Sequence, residues 1–589
     1  MCGIIGYIGN NKSIDILLQG LKNLEYRGYD SSGVALKDND DINIIKSVGK
    51  IKVLENKIKD LNLNKYNMGI AHTRWATNGK VSLENAHPHK VGKVTVVHNG
   101  IIENVEEVKR EIDNTKLKSE TDTEVVAALI DKYLEKNMIT TLTKVEKLLK
   151  GSYALGILIE GDNNLYVMKN KSPLVIGVGE KESFFASDIT AINQYTNKYI
   201  FLDDNEFAII NKDNVEVYKE KNKIDKEIEV INTDLSDKDK KGYKHFMLKE
   251  IKEEPYLLKR LISSYINNLD KLPDLSIYDE IHIVGCGSAM YAGEIGKILL
   301  EEYANVKVIT EVASEYRYKN NIYKGKTLII LISQSGETAD TIAVLERAKK
   351  EKIETLAIVN VETSTIARKS NMKVLIEAGE EIAVATTKAY ILQVAILSLL
   401  SLKVAYKKGL ITDIEEKINE FVNISNYLEN ILEKEEDYKK IAKEISNGTD
   451  AYFIGRKLDY AMCMEGSLKL KEVSYIHSEA YPSGELKHGT ISLIEDNVVV
   501  FAIMTDDKLY EKTMSNLLEV KARGAKVISI TTKKHKSDND LELVVDNVSD
   551  FTVSLLVVPM LQLIAYYTAL YRGCDIDKPK NLAKSVTVE

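Results

Sequence analysis

Short apolar runs dominate the first 225 residues, and they end at glycine, asparagine or aspartate. MGIAHTRWA, KVTVVHNG, GSYALGILIE and NNLYVMKN are such runs, and each predicts a β-strand followed by a turn. Residues 103–150 instead carry mostly helical spacing of their apolar positions. Sheet and helix in this order predict a layered α+β domain over residues 2–220.

The next segment is rich in charge and poor in apolar residues. TDLSDKDKKGYKH is typical of a solvated connector, and lysine, aspartate and glutamate remain dense from residue 212 to residue 256. We therefore predict a charged linker over residues 221–256.

Strands alternate with helices through the rest of the chain. DEIHIVGCG, KVITEVASE, KTLIILISQSGE and TLAIVNV predict strands, and a long helix follows over residues 385–405. The alternation restarts near residue 440 with AYFIGRKLD, NVVVFAIMT, AKVISITT and LELVVD. Two such rounds predict two doubly wound parallel-sheet domains, at residues 271–411 and 441–580, with residues 581–589 as a tail.

One uncharged run, residues 553–571, is almost long enough to span a membrane. Ser554, Pro559, Gln562 and Thr568 interrupt it, so a buried core helix is the better interpretation and no membrane association is expected.

Composition removes several classes of function. The 589 residues carry a net charge of -8 without a basic stripe, so nucleic acid is not an expected partner. The four cysteines form no CxxC pair, which argues against a metal site and a disulfide framework and favours a reducing cytoplasm. The first residues lack the features of a signal peptide.

Cys2 follows the initiator methionine and is a candidate nucleophile. Removal of Met1 would give Cys2 a free α-amine, a base for its own thiol. Arg74 is suited to a substrate carboxylate, Asp122 to an ammonium group, and Asn99 with Gly100 to an oxyanion. The alternatives are an accidental terminal cysteine, a surface arginine, a hairpin turn and a helix cap.

The segment ILISQSGETADT predicts a strand that ends in a hydroxyl-rich turn at a helix start. Backbone N–H groups and hydroxyls there bind phosphate without a lysine. The P-loop lysine is absent, which argues against a nucleoside triphosphate, and GCGSAM lacks the third glycine of a dinucleotide site. A simple Ser/Thr cap is the alternative for the first turn.

Three later segments carry groups for carbonyl chemistry. Glu465, Lys469 and Glu472 share one face of the helix predicted for MEGSLKLKEVSYIH, and His488 follows in a glycine-flanked loop. Lys584, near the C-terminus, is suited to an imine with a ketose. The alternatives are a surface row of ion pairs and a solvated tail lysine.

The N-terminal motifs MCGIIGYIG, LEYRGYDSSG, HTRWATNG, NAHPH, HNGIIEN and SETDTE resemble the N-terminal-nucleophile glutamine amidotransferases. The resemblance implies an αββα glutaminase domain in which Cys2 attacks the glutamine amide and Asn99 and Gly100 form the oxyanion hole. This sequence has Asn78 at a position where related sequences often carry histidine. The resemblance also implies that the backbone groups of the glutamine are bound by Arg74, Thr77, His87 and Asp122. It implies that Trp75 is the gate of the channel that carries the ammonia.

The second half resembles the sugar isomerase domains of the glutamine–fructose-6-phosphate aminotransferase family, through SQSGETADT, EEIAVATTKAY, EGSLKLKEVSYIHSEAYPSGELKHG and NLAKSVTVE. The resemblance implies glutamine and fructose-6-phosphate as substrates, no cofactor or metal, and a homodimer with shared isomerase sites. It implies that sugar phosphate is bound by Ser288, Ser333, Gln334, Ser335, Thr338, Val384 and Glu465.

By the same resemblance, Glu472 moves the proton between two sugar carbons, Lys469 assists, His488 opens the ring and Lys584 forms the imine. The chain departs from the family pattern at Ala289, Thr490 and Lys580. Two other functions stay open: an amidotransferase with a different phosphosugar acceptor, and a regulatory protein that binds sugar phosphates.

Overall fold

The computed structural model describes residues 2–38, 41–76, 79–112, 117–231, 240–266, 268–535 and 541–587. The chain divides into two compact units, one of residues 1–236 with 585–589 and one of residues 237–584.

The first unit contains two antiparallel sheets. Their described strands are β1 Gly3–Ile8, β2 Ser31–Asp38, β3 Asp41–Val48, β4 Met68–Arg74, β5 His89–Val91, β6 Val94–Ile102, β7 Gly151–Ile159, β8 Leu165–Asn170, β9 Val175–Val178, β10 Ser183–Ala186, β11 Lys198–Phe201, β12 Glu206–Ile210, β13 Val215–Lys219, β14 Asn222–Ile224 and β15 Glu229–Val230. One sheet has the order β15-β11-β9-β10-β1-β4-β2-β3, and the other has the order β14-β13-β12-β8-β7-β6-β5.

The two sheets pack face to face, and helices cover their outer faces. Alternating side chains such as Ile4 and Ile70 from one sheet meet Val97 and Leu158 from the other in a buried layer. The helices are α1 Ser13–Leu24 and α2 Ile51–Ile58 on one side, and α3 Val105–Glu111, α4 Asp122–Lys132 and α5 Met138–Leu148 on the other. The predicted αββα layers are confirmed.

The predicted linker is wrong over part of its length. Residues 222–224 and 229–230 form strands β14 and β15, and a helix begins at Phe246. Because the exposed faces of these elements are charged, their composition imitates that of a connector. Residues 232–239 lie outside the described part of the chain.

The second unit contains two parallel sheets. Their strands are β16 Glu280–Gly285, β17 Lys307–Val312, β18 Thr327–Ser333, β19 Glu354–Val359, β20 Met372–Leu375, β21 Asp450–Gly455, β22 His477–Pro482, β23 Val499–Met504, β24 Lys526–Thr532 and β25 Glu542–Val545. The helices are α6 Phe246–Ile266, α7 Ser288–Ala304, α8 Ala313–Tyr316, α9 Ala339–Glu351, α10 Thr365–Lys369, α11 Lys388–Lys407, α12 Ile414–Leu432, α13 Glu435–Ile445, α14 Leu458–Ser474, α15 Tyr510–Lys521 and α16 Ser554–Tyr571.

The two sheets repeat one topology, as predicted. Their orders are β17-β16-β18-β19-β20 and β22-β21-β23-β24-β25. In such a sheet the strand order reverses beside the first strand, and the crevice at the carboxyl ends of the strands there is the usual ligand site. Both repeats start the next helix three residues after the first strand, and the residues before it, Gly287 and Lys457, have φ of 56° and 50°.

Helices α11 and α16 are long and apolar enough to cross a membrane by composition alone. Both are mostly buried within the second unit, with 94% and 89% of their apolar windows enclosed. The interpretation of residues 553–571 as a core helix is therefore confirmed.

Candidate active sites

The first site surrounds Cys2. Strand β1 pairs with β4 so that Gly3 lies opposite Thr73, which brings Cys2 beside the end of β4. The Trp75 N–H donates to Cys2 Sγ at 3.3 Å, and the thiol faces the Trp75 carbonyl at 3.4 Å. Burial raises the pKa of the Cys2 thiol, while the hydrogen bond with Trp75 and the charge of Arg74 oppose that shift.

Asn99 and Gly100 are neighbours in β6, and Gly100 lines the same cavity as Cys2. Cys2, Arg74, Gly100 and Asp122 line this cavity together. Gly100 has φ of 133°, and a Cβ there would lie 1.9 Å from the Ser152 carbonyl oxygen, so only glycine fits. The Asn99 side chain is buried, and its Oδ1 has no hydrogen-bond partner among the described residues.

Asp122 is the first residue of α4, and its carboxylate accepts from the Ile102 N–H at 3.0 Å. Arg74 donates to the carbonyls of Lys80 and Gly79 at 3.2 and 3.3 Å, so it braces the following loop. Thr77 and Asn78 lie outside the described residues.

A group of buried histidines backs this cavity. His87 and His98 both bond Thr123 Oγ1, at 2.7 and 3.0 Å, and His72 stacks on His87. Burial lowers the pKa of all of them, and it lowers that of His89 to about 3. In the described ranges, no histidine, cysteine or carboxylate cluster has a geometry that would hold a metal ion.

The predicted phosphate turn occupies the carboxyl end of β18, at the point where the strand order of the first parallel sheet reverses. Ser333 Oγ lies 2.9 Å from Thr338 Oγ1 and accepts from the Gly336 N–H at 3.0 Å. Ser335 Oγ accepts from the Glu337 N–H at 3.2 Å. Thr338 occupies the N-cap position of α9 but makes no side-chain cap bond, so simple capping does not account for its hydroxyl.

Ser288, Glu465, Lys469 and Glu472 form one cluster. The Ser288 hydroxyl, at the start of α7, donates to Glu465 Oε1 at 3.1 Å. Lys469 Nζ lies 2.5 Å from Glu472 and 3.5 Å from Glu465. Lys469 and Glu465 are fully buried, so the alternative of a surface ion-pair row is wrong.

The charges in this cluster are strongly coupled. Burial raises the pKa of Glu465 to about 7, although Lys469 opposes that shift. Burial lowers the pKa of Lys469, but the carboxylates of Glu465 and Glu472 outweigh it and raise the value to about 12. The predicted helix for this segment also ends earlier than expected, at Ser474, because β22 begins at His477.

Lys584 is docked, and its partner was not predicted. Its Nζ donates to Glu381 Oε2 and lies 3.5 Å from Thr386 Oγ1. Glu381 Oε1 accepts from the N–H groups of Thr387 and Ala389. The sequence did carry a signal, since Glu381 lies in the EEIAVATTKAY motif, but nothing local connects it to a lysine 203 positions away.

Val384 lies in the same segment, and its N–H donates to the Asp577 carbonyl at 3.0 Å. His488 is exposed at the end of a 3₁₀ helix, Ser483–His488. Gly489 beside it has open space around its Cβ position. Within its own chain, His488 makes no hydrogen bond or ion pair with another described residue, so it does not join the Lys469 cluster.

Sequence profiles define the class of protein. A glutamine amidotransferase domain profile matches residues 76–194, and an SIS domain profile matches twice, at residues 275–403 and 444–570. The chain is therefore a glutamine amidotransferase joined to two SIS domains, in agreement with the αββα unit and the paired parallel sheets.

Full-length relatives define the family. The glutamine–fructose-6-phosphate aminotransferases (isomerizing) of Caldanaerobacter subterraneus subsp. tengcongensis and Clostridium acetobutylicum are 46% and 44% identical to it, with 100% of every chain covered. The C-terminal domain of a glucosamine-fructose-6-phosphate aminotransferase from Francisella tularensis superposes with a TM-score of 0.55 at 38% identity, covering 58% of this chain and 99% of that one. The chain belongs to the glutamine–fructose-6-phosphate aminotransferase (isomerizing) family, and the predicted resemblance is confirmed.

Proposed function

We propose that this protein converts fructose-6-phosphate and L-glutamine into glucosamine-6-phosphate and L-glutamate. The observation that carries the proposal is the arrangement in the second unit, where Lys469 is fixed between Glu465 and Glu472 and Lys584 is held by Glu381. A buried lysine between two carboxylates suits proton transfer beside a carbonyl, and a docked lysine suits an imine.

In the first unit, Cys2 Sγ attacks the amide carbon of glutamine. The developing oxyanion accepts hydrogen bonds from the Asn99 side-chain amide and the Gly100 N–H, and ammonia leaves. Water then hydrolyses the thioester to glutamate. Arg74, Thr77, His87 and Asp122 are the proposed contacts to the rest of the glutamine, and Trp75 is the proposed gate for ammonia.

In the second unit, the turn of Ser333, Gln334, Ser335 and Thr338 binds the phosphate, and Ser288 and Val384 face the sugar. The Lys584 amine forms an imine at C2, which ammonia displaces. Glu472 takes a proton from C1 and delivers it to C2, while Lys469 stabilises the charge that develops. The overall balance is consistent, because the water used by the glutaminase step equals the water released by the amination.

His488 is proposed to open the sugar ring in the site of a second subunit. Its exposure at the end of a 3₁₀ helix supports this role, because no hydrogen bond or ion pair among the described residues connects it to the Lys469 cluster of its own chain. We therefore infer a homodimer with shared isomerase sites. We also place the enzyme in the cytoplasm, at the first step of amino-sugar synthesis, where its free cysteines remain reduced.

The test is incubation with glutamine and fructose-6-phosphate, followed by detection of the amino sugar and of glutamate. Cys2→Ala should abolish glutamate release and leave glutamine-independent sugar isomerisation intact. Lys584→Ala should abolish sugar isomerisation and leave glutamate release intact. Binding of the sugar phosphate without any turnover would contradict the proposal and favour a regulatory protein.

Shared sites are tested by mixing His488→Ala with Lys584→Ala chains. Mixed dimers should recover one active site in two. Mixed dimers that form but remain inactive would show that His488 acts within its own subunit.

A further inference from the structure

Helix α6 precedes the first SIS profile match, which begins at residue 275, so neither domain profile gives it a role. Its apolar face includes Met247, Ile251 and Leu258 and is buried. Glu250 and Glu254 lie on this same face, and each is only 1% exposed. Burying a carboxyl group is costly unless it is neutral or well bonded, so two of them on one core face call for an explanation.

Glu250 bonds the segment that holds Lys584. Its Oε1 accepts from the N–H groups of Ile382 and Ala383, at 2.5 and 3.2 Å. These two residues directly follow Glu381, whose carboxylate accepts from Lys584 Nζ. Hydrogen bonds therefore connect α6 to the backbone of residues 382 and 383, and the adjacent Glu381 bonds the amine of Lys584.

The same segment is tied down at both of its ends. Glu381 Oε1 accepts from the N–H groups of Thr387 and Ala389, at 3.0 and 3.1 Å, which closes the segment on itself. Asp577 accepts from the first two N–H groups of α6 through its side chain and from Val384 through its carbonyl. Glu250 therefore bonds the backbone of a loop whose two ends are already held by other hydrogen bonds.

We propose that Glu250 is a positioning residue for Lys584, acting through the backbone of residues 381–389. The proposal rests on the imine role of Lys584 given above. A side chain that only stabilised α6 would not need to contact the two backbone groups beside the Lys584 acceptor.

The charge on Glu250 has a further consequence. The titratable groups that face it are Glu254 on its own helix, Glu381, Lys388 on α11, and Lys584. Burial raises the pKa of Glu250 to about 8, and the charge of Glu381 adds to that shift while the two lysines oppose it. Below that pH, Glu250 is a neutral acid, and Glu381 supplies the negative charge next to the Lys584 amine.

Above that pH, Glu250 becomes a second carboxylate near Lys584. The pH profile of trapping at Lys584 should therefore change slope where Glu250 ionises, and a variant whose residue 250 cannot ionise should lack that change.

The experiment uses the full-length enzyme, fructose-6-phosphate and borohydride, with mass spectrometry of the peptide that contains Lys584. It compares wild type, Glu250→Ala and Glu250→Gln, and it also measures kcat and KM of glutamine-independent sugar isomerisation from pH 6.5 to 9.5. Lys252→Gln is the matched control, because Lys252 lies on the same helix but pairs with Glu435 and not with a group that faces Glu250.

Glu250→Ala should lower kcat and the trapping rate at least tenfold, with less than a threefold change in KM. Glu250→Gln keeps an acceptor oxygen and should recover most of the rate at pH 7. Its pH profile of trapping should lack the change of slope that the ionisation of Glu250 gives to the wild type. Lys252→Gln should retain the wild-type shape of the pH profile.

Glutamine hydrolysis at Cys2 serves as the folding control for every variant. Wild-type trapping in a folded Glu250→Ala would overturn the proposal. If that variant does not fold, parallel pH profiles for Glu250→Gln and wild type would overturn it instead. Failure of the imine role itself would look different, because no sugar would then be attached at Lys584 in the wild-type protein.

Discussion

The histidine group behind Cys2 should make the first unit sensitive to acid, and His89 allows the effect to be measured. His89 is 3% exposed, and its Nε2 lies 3.1 Å from Thr121 Oγ1 at the N-cap of α4. Burial lowers its pKa to about 3, and the charges of Lys46 and Arg74 add to that shift. In the unfolded chain the imidazole would titrate near ~6.5.

The direction in which stability changes with pH follows from the number of protons that the folded and unfolded states bind. Between these two values the unfolded state binds a proton that the folded state does not, so stability falls as pH falls. The contribution is complete above pH ~6.5 and is lost progressively toward pH ~3. Between pH 7 and pH 5, linkage gives a loss of about 2 kcal/mol from this one group.

The assay is urea unfolding followed by tryptophan fluorescence. Trp75 is the sole tryptophan in the sequence and belongs to the first unit, so its emission reports on that unit alone. His89→Gln should lose about 2 kcal/mol less than wild type between pH 7 and pH 5. Equal losses in the two proteins would refute the assignment of His89 as a buried neutral base, whatever the stability of the variant at pH 7.

Three further predictions follow from backbone and site geometry. Lys457→Gly should stabilise the second unit by about 1 kcal/mol in calorimetry, since φ of 50° strains a side chain there and the exposed ion pair with Glu302 contributes little. Thr338→Ala should raise the KM for fructose-6-phosphate about tenfold, because it removes one hydrogen bond to a charged group. An unchanged KM would show that the turn is not the phosphate site. Gly100→Ala should abolish glutamine hydrolysis but not sugar isomerisation, because its Cβ would clash with the Ser152 carbonyl, and retained glutaminase would exclude Gly100 from the oxyanion hole.

Local patterns in the sequence predicted the strands and turns that carry the chemistry. An apolar run followed by SQSGET predicted β18 and its phosphate turn, and the i, i+4, i+7 spacing of Glu465, Lys469 and Glu472 predicted their common face. Both predictions depend on residues close together in the chain, where periodicity and turn chemistry act directly. The roles of these residues, and of the Cys2 group, stay predictions.

Other features depended on where distant segments meet. Helix α6 is rich in acidic residues, as a connector would be. Its apolar positions 247, 251 and 258 nevertheless lie on the same face as Glu250 and Glu254, so both glutamates are buried in the core. The pairing of Glu381 with Lys584 joins residues 203 positions apart. The sequence by itself determined the class of each domain and the local geometry of its turns. Only the tertiary structure decided which charged side chains are buried and which partners set their protonation, because burial and electrostatic coupling depend on distances in space and not along the chain.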